Sequence, residues 1–194
     1  MRKLSVMSLV FMLALSISYA QNRQTPDLGD FENVEVEGNI RIFLEHAETS
    51  SVVLETKDEE DFDAYRVAVS GKTLIIDQHE RGSNFKSTPK LTVYVKHPGI
   101  SSLEMDGLVT VTTKDVVKGE SLRIKGDGMI RGDMEIIVDR LKIDLDGMCK
   151  MTITGRALEA DLSVDGMGKI DARGFYSKKM HQSSEGMASI KVGQ

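Results

Sequence analysis

The chain has 194 residues, of which 40% are hydrophobic and 28% charged, with a formal net charge of −5. Its acids and bases are interspersed rather than segregated, so it lacks the basic patch that nucleic acid requires, and no nucleic-acid partner is expected. Cys149 is the only cysteine, which excludes an internal disulfide, and with no tryptophan and only 5% aromatic residues the core must be built from Val, Ile, Leu and Met.

The N-terminal stretch "MRKLSVMSLVFMLALSISYA" pairs a positive start, Arg2 and Lys3, with an apolar run from Leu4 to Leu15 and a small-residue exit at Ser18-Tyr19-Ala20. This is the layout of a secretory signal peptide, and cleavage is expected after Ala20. The apolar run is too short to span a bilayer comfortably, so no integral membrane span is expected after cleavage. No cysteine lies near the exit, which argues against lipid attachment. An exported chain without disulfides must be held together by other means.

Residues 21–30 are polar, with Pro26 and Gly29, and read as a disordered leader. Alternating apolar and polar runs then predict strands at about 31–45, 51–57, 65–78 and 90–97, each half buried on one face. "VSGKTLIID" predicts a hairpin around Ser70-Gly71. "DEEDFDAY" reads as a short acidic connection and 79–90 as a polar loop.

From about residue 98 the pattern becomes periodic. Gly107, Gly128, Gly147, Gly166 and Gly186 recur at a near-constant interval, and Asp-Gly-Met stands at 127–129, 146–148 and 165–167. A fixed interval of this size is the mark of a solenoid. Four and two residues before each glycine the positions are mostly apolar, as in Leu103, Ile124, Ile143 and Leu162, and Met105, Leu145 and Val164. The odd positions between them are polar: Asp106, Asp127, Asp146, Asp165 and Glu185. Alternation resumes after the glycine, with Val109, Ile130 and Cys149 inward and Arg131, Lys150 and Lys169 outward. Such a two-residue period places one set in the core and the other in water. Gln182 and Ser184 make the last copy polar on its inward side, as a terminal repeat needs. The expected architecture is therefore all-β, a right-handed parallel β-helix or β-solenoid with rungs of about 20 residues. Residues 31–194 would form one domain, with opening strands at 31–97 and regular rungs at 98–194. The turn glycines would serve positive φ and close rung contact.

The signal peptide, the opening "FENVEVEGNIRIFLE", and "GKTLIID" leading to "LTVYVKHPGISSLEMDG" resemble the head GIN domain family of putative auto-transporter adhesins, seen chiefly in Bacteroidetes-type bacteria. The resemblance covers nearly all of residues 31–194. It implies an exported parallel β-helix, similar to pectin-lyase-like folds, with an adhesive role and no established enzymatic residues. Where that family carries Gly-Ser-Gly or Gly-Asn-like turns, this chain has Asp-Gly-Met.

Chemistry is sparse. There is no Gly-x-Ser-x-Gly motif, and Cys149 sits in an inward column as a small core residue. His46, His79, His97 and His181 lack metal-ligand spacing. No catalytic residue, cofactor or metal is expected. Carboxylates about 5 Å apart on adjacent rungs repel by roughly 0.8 kcal/mol in water and about 3 kcal/mol at an effective dielectric of 20. The acid column must therefore be solvated, paired with Arg131, Lys150 and Lys169, bridged by calcium, or used as a glycan-cleaving carboxylate pair. One residue past each glycine stands Leu108, Met129, Met148, Met167 or Met187. Either a bulge turns these inward, or they form an outward apolar interaction stripe. Two functions follow: an exported, non-enzymatic interaction protein whose partner is a protein, a cell-surface glycan or a second copy of itself, or a carbohydrate-active enzyme. The lack of an aromatic sugar platform favours the first.

Overall fold

The computed structural model describes residues 22–79 and 91–193. The expected signal peptide, and nearly all of the 79–90 loop, lie outside these residues. The described chain is almost entirely strand: β1 (Asn22–Gln24), β2 (Asn33–His46), β3 (Ser51–Thr56), β4 (Tyr65–Ser70), β5 (Thr73–Gln78), β6 (Leu91–His97), β7 (Ser102–Thr113), β8 (Val117–Ser184) and β9 (Ser189–Val192). One short 3-10 helix, Glu59–Ala64, fills the acidic connection and buries Phe62.

The strands form one open sheet in the order β1-β3-β6-β2-β7-β8-β9, with β4 attached through β5. From β2 onward the pairing is parallel. Val34 lies beside Leu103 and Ile42 beside Val111 in β2–β7, and Leu103 lies beside Ile124 in β7–β8. The β4–β5 pair is the expected hairpin, antiparallel with Ser70 opposite Thr73, and Gly71 turns it at φ +61°. Strand β1 pairs antiparallel with β3, so residues 22–24 are strand where the polar composition suggests a disordered leader. The side chains explain why. The Arg23 guanidinium reaches Glu55 at 2.8 Å, and Glu55 is buried.

The core follows the two-residue period. Val34, Val36, Ile40, Ile42 and Leu44 are buried along β2, and Ile124, Ile130, Ile143, Leu145, Ile153, Leu162 and Val164 along β8. Small residues in one copy are filled from the next. A Cβ on Gly126 would meet Leu145 Cδ2 at 2.9 Å, and one on Gly132 would meet Met151 Cε at 2.8 Å. This is close packing achieved by trading volume between neighbouring copies.

The glycine ladder begins earlier than its sequence spacing suggests. Gly38 in β2 pairs with Gly107, which pairs with Gly128, so the ladder starts inside the opening strands rather than at about residue 98. Every member has positive φ, from +75° at Gly186 to +126° at Gly38. At Gly147, with φ +91°, a Cβ would also stand 2.6 Å from the Gly128 carbonyl oxygen. Both constraints exclude a side chain there. The ladder ends on Gln78, whose Cβ occupies the space above Gly38 and whose Oε1 accepts the Asn39 N–H at 2.9 Å. At the other end, Met187 N–H donates to the Gly166 carbonyl at 2.8 Å.

Candidate functional site

The ladder fixes what lies on either side of it. Asp106 stacks on Asp127 and Glu37 on Asp106, so the acid column runs in register from the opening strands into the repeats. Asp106, Asp127, Asp146, Asp165 and Glu185 are exposed. The pairing considered for this column is not made within the chain. Among the described residues no ion pair joins Asp127, Asp146 or Asp165 to Arg131, Lys150 or Lys169. Lys169 Nζ instead reaches Asp171 Oδ2 at 2.8 Å, and Arg173 clamps the same carboxylate at 2.7 Å. Those two hydrogen-bonded cations, Arg173 first, hold the Asp171 carboxyl well below the usual carboxylate range. Asp165 Oδ1 accepts the N–H of Gly166 at 2.6 Å.

The residues one past the glycines do not turn into the core as a set. Leu108 is buried at 7% exposure and Met129 is half-buried, but Met148, Met167 and Met187 are 48%, 50% and 76% exposed. At Gly147 the alternation runs through the glycine, so Asp146, Met148 and Lys150 all point outward, whereas at Gly107 it breaks and Leu108 and Val109 are both buried. Cys149, between Met148 and Lys150, points inward with 4% exposure, and burial pushes its thiol pKa up.

The first three strands of the ladder also frame an acidic cleft of about 420 Å³. Glu35, Glu37, Asp77, Glu104, Asp106 and Asp127 supply the carboxylates, and Lys125 and Arg66 lie among them. Arg66 is engaged by Asp77 at 3.1 Å. Among the described residues no cluster of three or more His, Cys, Asp or Glu has the geometry to hold a metal ion. His46 and His97 do meet, with ring centroids 6.4 Å apart. His97 is buried, and burial lowers its pKa.

One surface feature escapes the sequence pattern. Phe43 and Tyr94, on adjacent parallel strands, stack with centroids 5.2 Å apart and planes 13° from parallel. Lys114 Nζ lies 4.8 Å from the Tyr94 centroid and Arg23 lies 6.0 Å from it. Glu45 holds Lys96 and Lys114 beside the pair at 3.3 Å each. The two rings are remote in sequence, and only the β2–β6 register joins them. Aromatics are therefore paired at the surface, but cations cover the stack.

A family model described as "Putative auto-transporter adhesin, head GIN domain" matches residues 30–194. No curated protein matches the chain. Among solved structures, a "putative adhesin" from Bacteroides fragilis NCTC 9343 superposes with a TM-score of 0.77 at 18% identity, covering 89% of this chain and 80% of that one. A "putative adhesin" from Parabacteroides distasonis ATCC 8503 gives 0.62 at 18% identity, covering 89% and 82%. A "putative lipid binding protein" from the same strain gives 0.59 at 15% identity, covering 90% and 97%. Likeness at these identities concerns the fold, and differently named proteins share it.

Proposed function

The chain belongs to the head GIN domain family of putative auto-transporter adhesins, and from that membership we propose that it is an exported, non-enzymatic interaction protein of the cell envelope. Its repeats wind as a parallel β-solenoid, and its binding surfaces are the outward columns that the winding creates. The observation that carries this reading is the in-register stack from Gly38 through Gly107 and Gly128. Stacking repeats the same outward residue at a fixed spacing and so turns single side chains into continuous lines. Export rests on the N-terminal layout of Arg2, Lys3, the Leu4–Leu15 run and Ala20. Among the described residues no helix is long and apolar enough to cross a membrane.

The second reading, a carbohydrate-active enzyme, draws on the carboxylates of the acidic cleft. Retaining and inverting glycosidases need two carboxyl groups at defined separations with opposed pKa values. The test is a paired assay on the purified protein. Saturable retention on immobilised envelope glycans or on intact cells, without release of reducing ends from a polysaccharide panel, is the expected result. Release of reducing ends that Glu35→Gln or Glu104→Gln abolishes would replace the adhesive reading with the enzymatic one.

A further inference from the structure

We propose that the Met129–Met148–Met167–Met187 stripe is the contact line of a two-fold dimer in which two copies lie side by side and point the same way. The inference rests on the solenoid reading above and adds the partner and its orientation.

The argument starts from three outward columns in fixed order. Along three consecutive copies the chain presents an acid, then a Met, then a base. The triplets are Asp127, Met129, Arg131; Asp146, Met148, Lys150; and Asp165, Met167, Lys169. Members of a triplet are two residues apart and share one face, so the columns lie about 7 Å from one another. The stripe covers four copies, roughly 15 Å at the spacing of paired strands. Met148, Met167 and Met187 leave about half or more of their surface in water, an unusual exposure for a row of large apolar side chains.

Apart from Lys169, which Asp171 holds, the charged columns of these three copies have no ion-pair partner among the described residues. Among the described residues neither Asp127 nor Asp146 has an ion-pair partner, and neither do Arg131 or Lys150. The like charges of each column therefore stack unrelieved. A partner that covered the stripe would need bases opposite the acids, acids opposite the bases, and the same spacing between copies. A second copy, related by a two-fold axis running along the Met stripe, meets all three conditions. That rotation exchanges left for right and keeps each copy level with its equal. Asp127 then faces the second molecule's Arg131, and Asp146 its Lys150. Met129, Met148 and Met167 each meet themselves near the axis. The opposite arrangement, with the copies pointing in contrary directions, sets acid against acid and base against base. Charge order thus selects the parallel dimer. Met suits such a seam because its unbranched thioether adapts to a copy of itself.

The experiment has two independent arms. In the first, Asp146→Lys and Lys150→Asp are made separately and their folding is checked by circular dichroism melts. The wild type is expected to sediment at dimer mass at micromolar concentration. Each variant should weaken dimerisation by at least tenfold, since it sets like charges opposite each other at two symmetric places. A one-to-one mixture of the two variants should recover dimer mass, because the lysine introduced in one then faces the aspartate introduced in the other. A monomeric wild type, single variants that dimerise unchanged, or a mixture that fails to recover would overturn the proposal. In the second arm, Met129→Cys and Met167→Cys are placed in a Cys149→Ser background. Each alone should form a disulfide-linked dimer under mild oxidation. Linkage only when the two are mixed would mean antiparallel pairing and would also overturn it. The two proposals fail separately. A monomer that still binds cells removes the dimer alone, and a dimer that releases reducing ends removes the adhesive function alone.

Discussion

Gln78 stands where the next glycine of the ladder would be, and its side-chain Oε1 accepts the Asn39 N–H at 2.9 Å. Lower in the stack the backbone does this work: a residue following a glycine donates to the previous glycine's carbonyl, as Met187 N–H does to Gly166. At the top of the ladder no further glycine exists, and an amide side chain supplies the missing acceptor. The ladder is therefore capped at its beginning by Gln78 and at its end by the polar, exposed Gln182 and Ser184.

Gln78→Ala should lower stability by about 1 kcal/mol, the net value of one partly buried hydrogen bond. Gln78→Glu keeps an acceptor at the same reach and should lose less. Urea unfolding midpoints rank the two, and equal losses would show that the acceptor at this end is not needed.

Gly147→Val should destabilise by about 3 kcal/mol or more. Its φ of +91° strains any branched side chain, and the Cβ would meet the Gly128 carbonyl oxygen. Gly29 is the control, because nothing lies within 4 Å of a Cβ built there. Gly29→Val should leave the urea midpoint in place. If both variants melt alike, the ladder is not what holds the repeats in register.

How much of this is legible in the sequence depends on distance along the chain. The two-residue alternation and the near-constant spacing from Gly107 to Gly186 are local signals, and they place the strands, the inward columns and Cys149. Gly38 escapes that spacing because a long stretch of chain, containing the hairpin and β6, is inserted between it and Gly107. The Phe43–Tyr94 stack is hidden for the same reason. The orientation of the Met residues is ambiguous in the sequence because a glycine with positive φ is compatible with a bulge. The structure shows the alternation passing through Gly147 and Gly166, so Met148 and Met167 stay outside, whereas at Gly107 it breaks and Leu108 is buried. Intrachain pairing of Asp165 with Lys169 is plausible from spacing alone. Asp171, two residues beyond Lys169 on the same face, competes better for that ammonium group.

Calcium should not be required for folding. The carboxylates of Asp127, Asp146 and Asp165 arrive one per copy, whereas calcium takes six to eight oxygens at about 2.4 Å. Thermal melts in excess chelator and then in millimolar calcium should give the same midpoint. A rise of many degrees on adding calcium would mean that the acid column gathers around the ion, through the linkage of binding to folding.

His97 should make the fold sensitive to mild acid. It is buried at 1% exposure, its Nδ1 has no hydrogen-bond partner among the described residues, and desolvation lowers its pKa, with His46 adding to the shift and Asp115 opposing it. In the unfolded chain the imidazole protonates near its ordinary value of about 6.5. Below that pH the unfolded state takes up a proton that the folded state resists, so the unfolded state binds more protons and stability falls as pH falls. The contribution is fully present above about pH 6.5, and the loss grows down to the lowered folded pKa, below which it changes no further. The unfolding midpoint of the wild type should fall between pH 7 and 5 by more than that of His97→Gln. Parallel curves for the two proteins would show that His97 accepts its proton inside the fold without penalty, with Asp115 as the compensating charge.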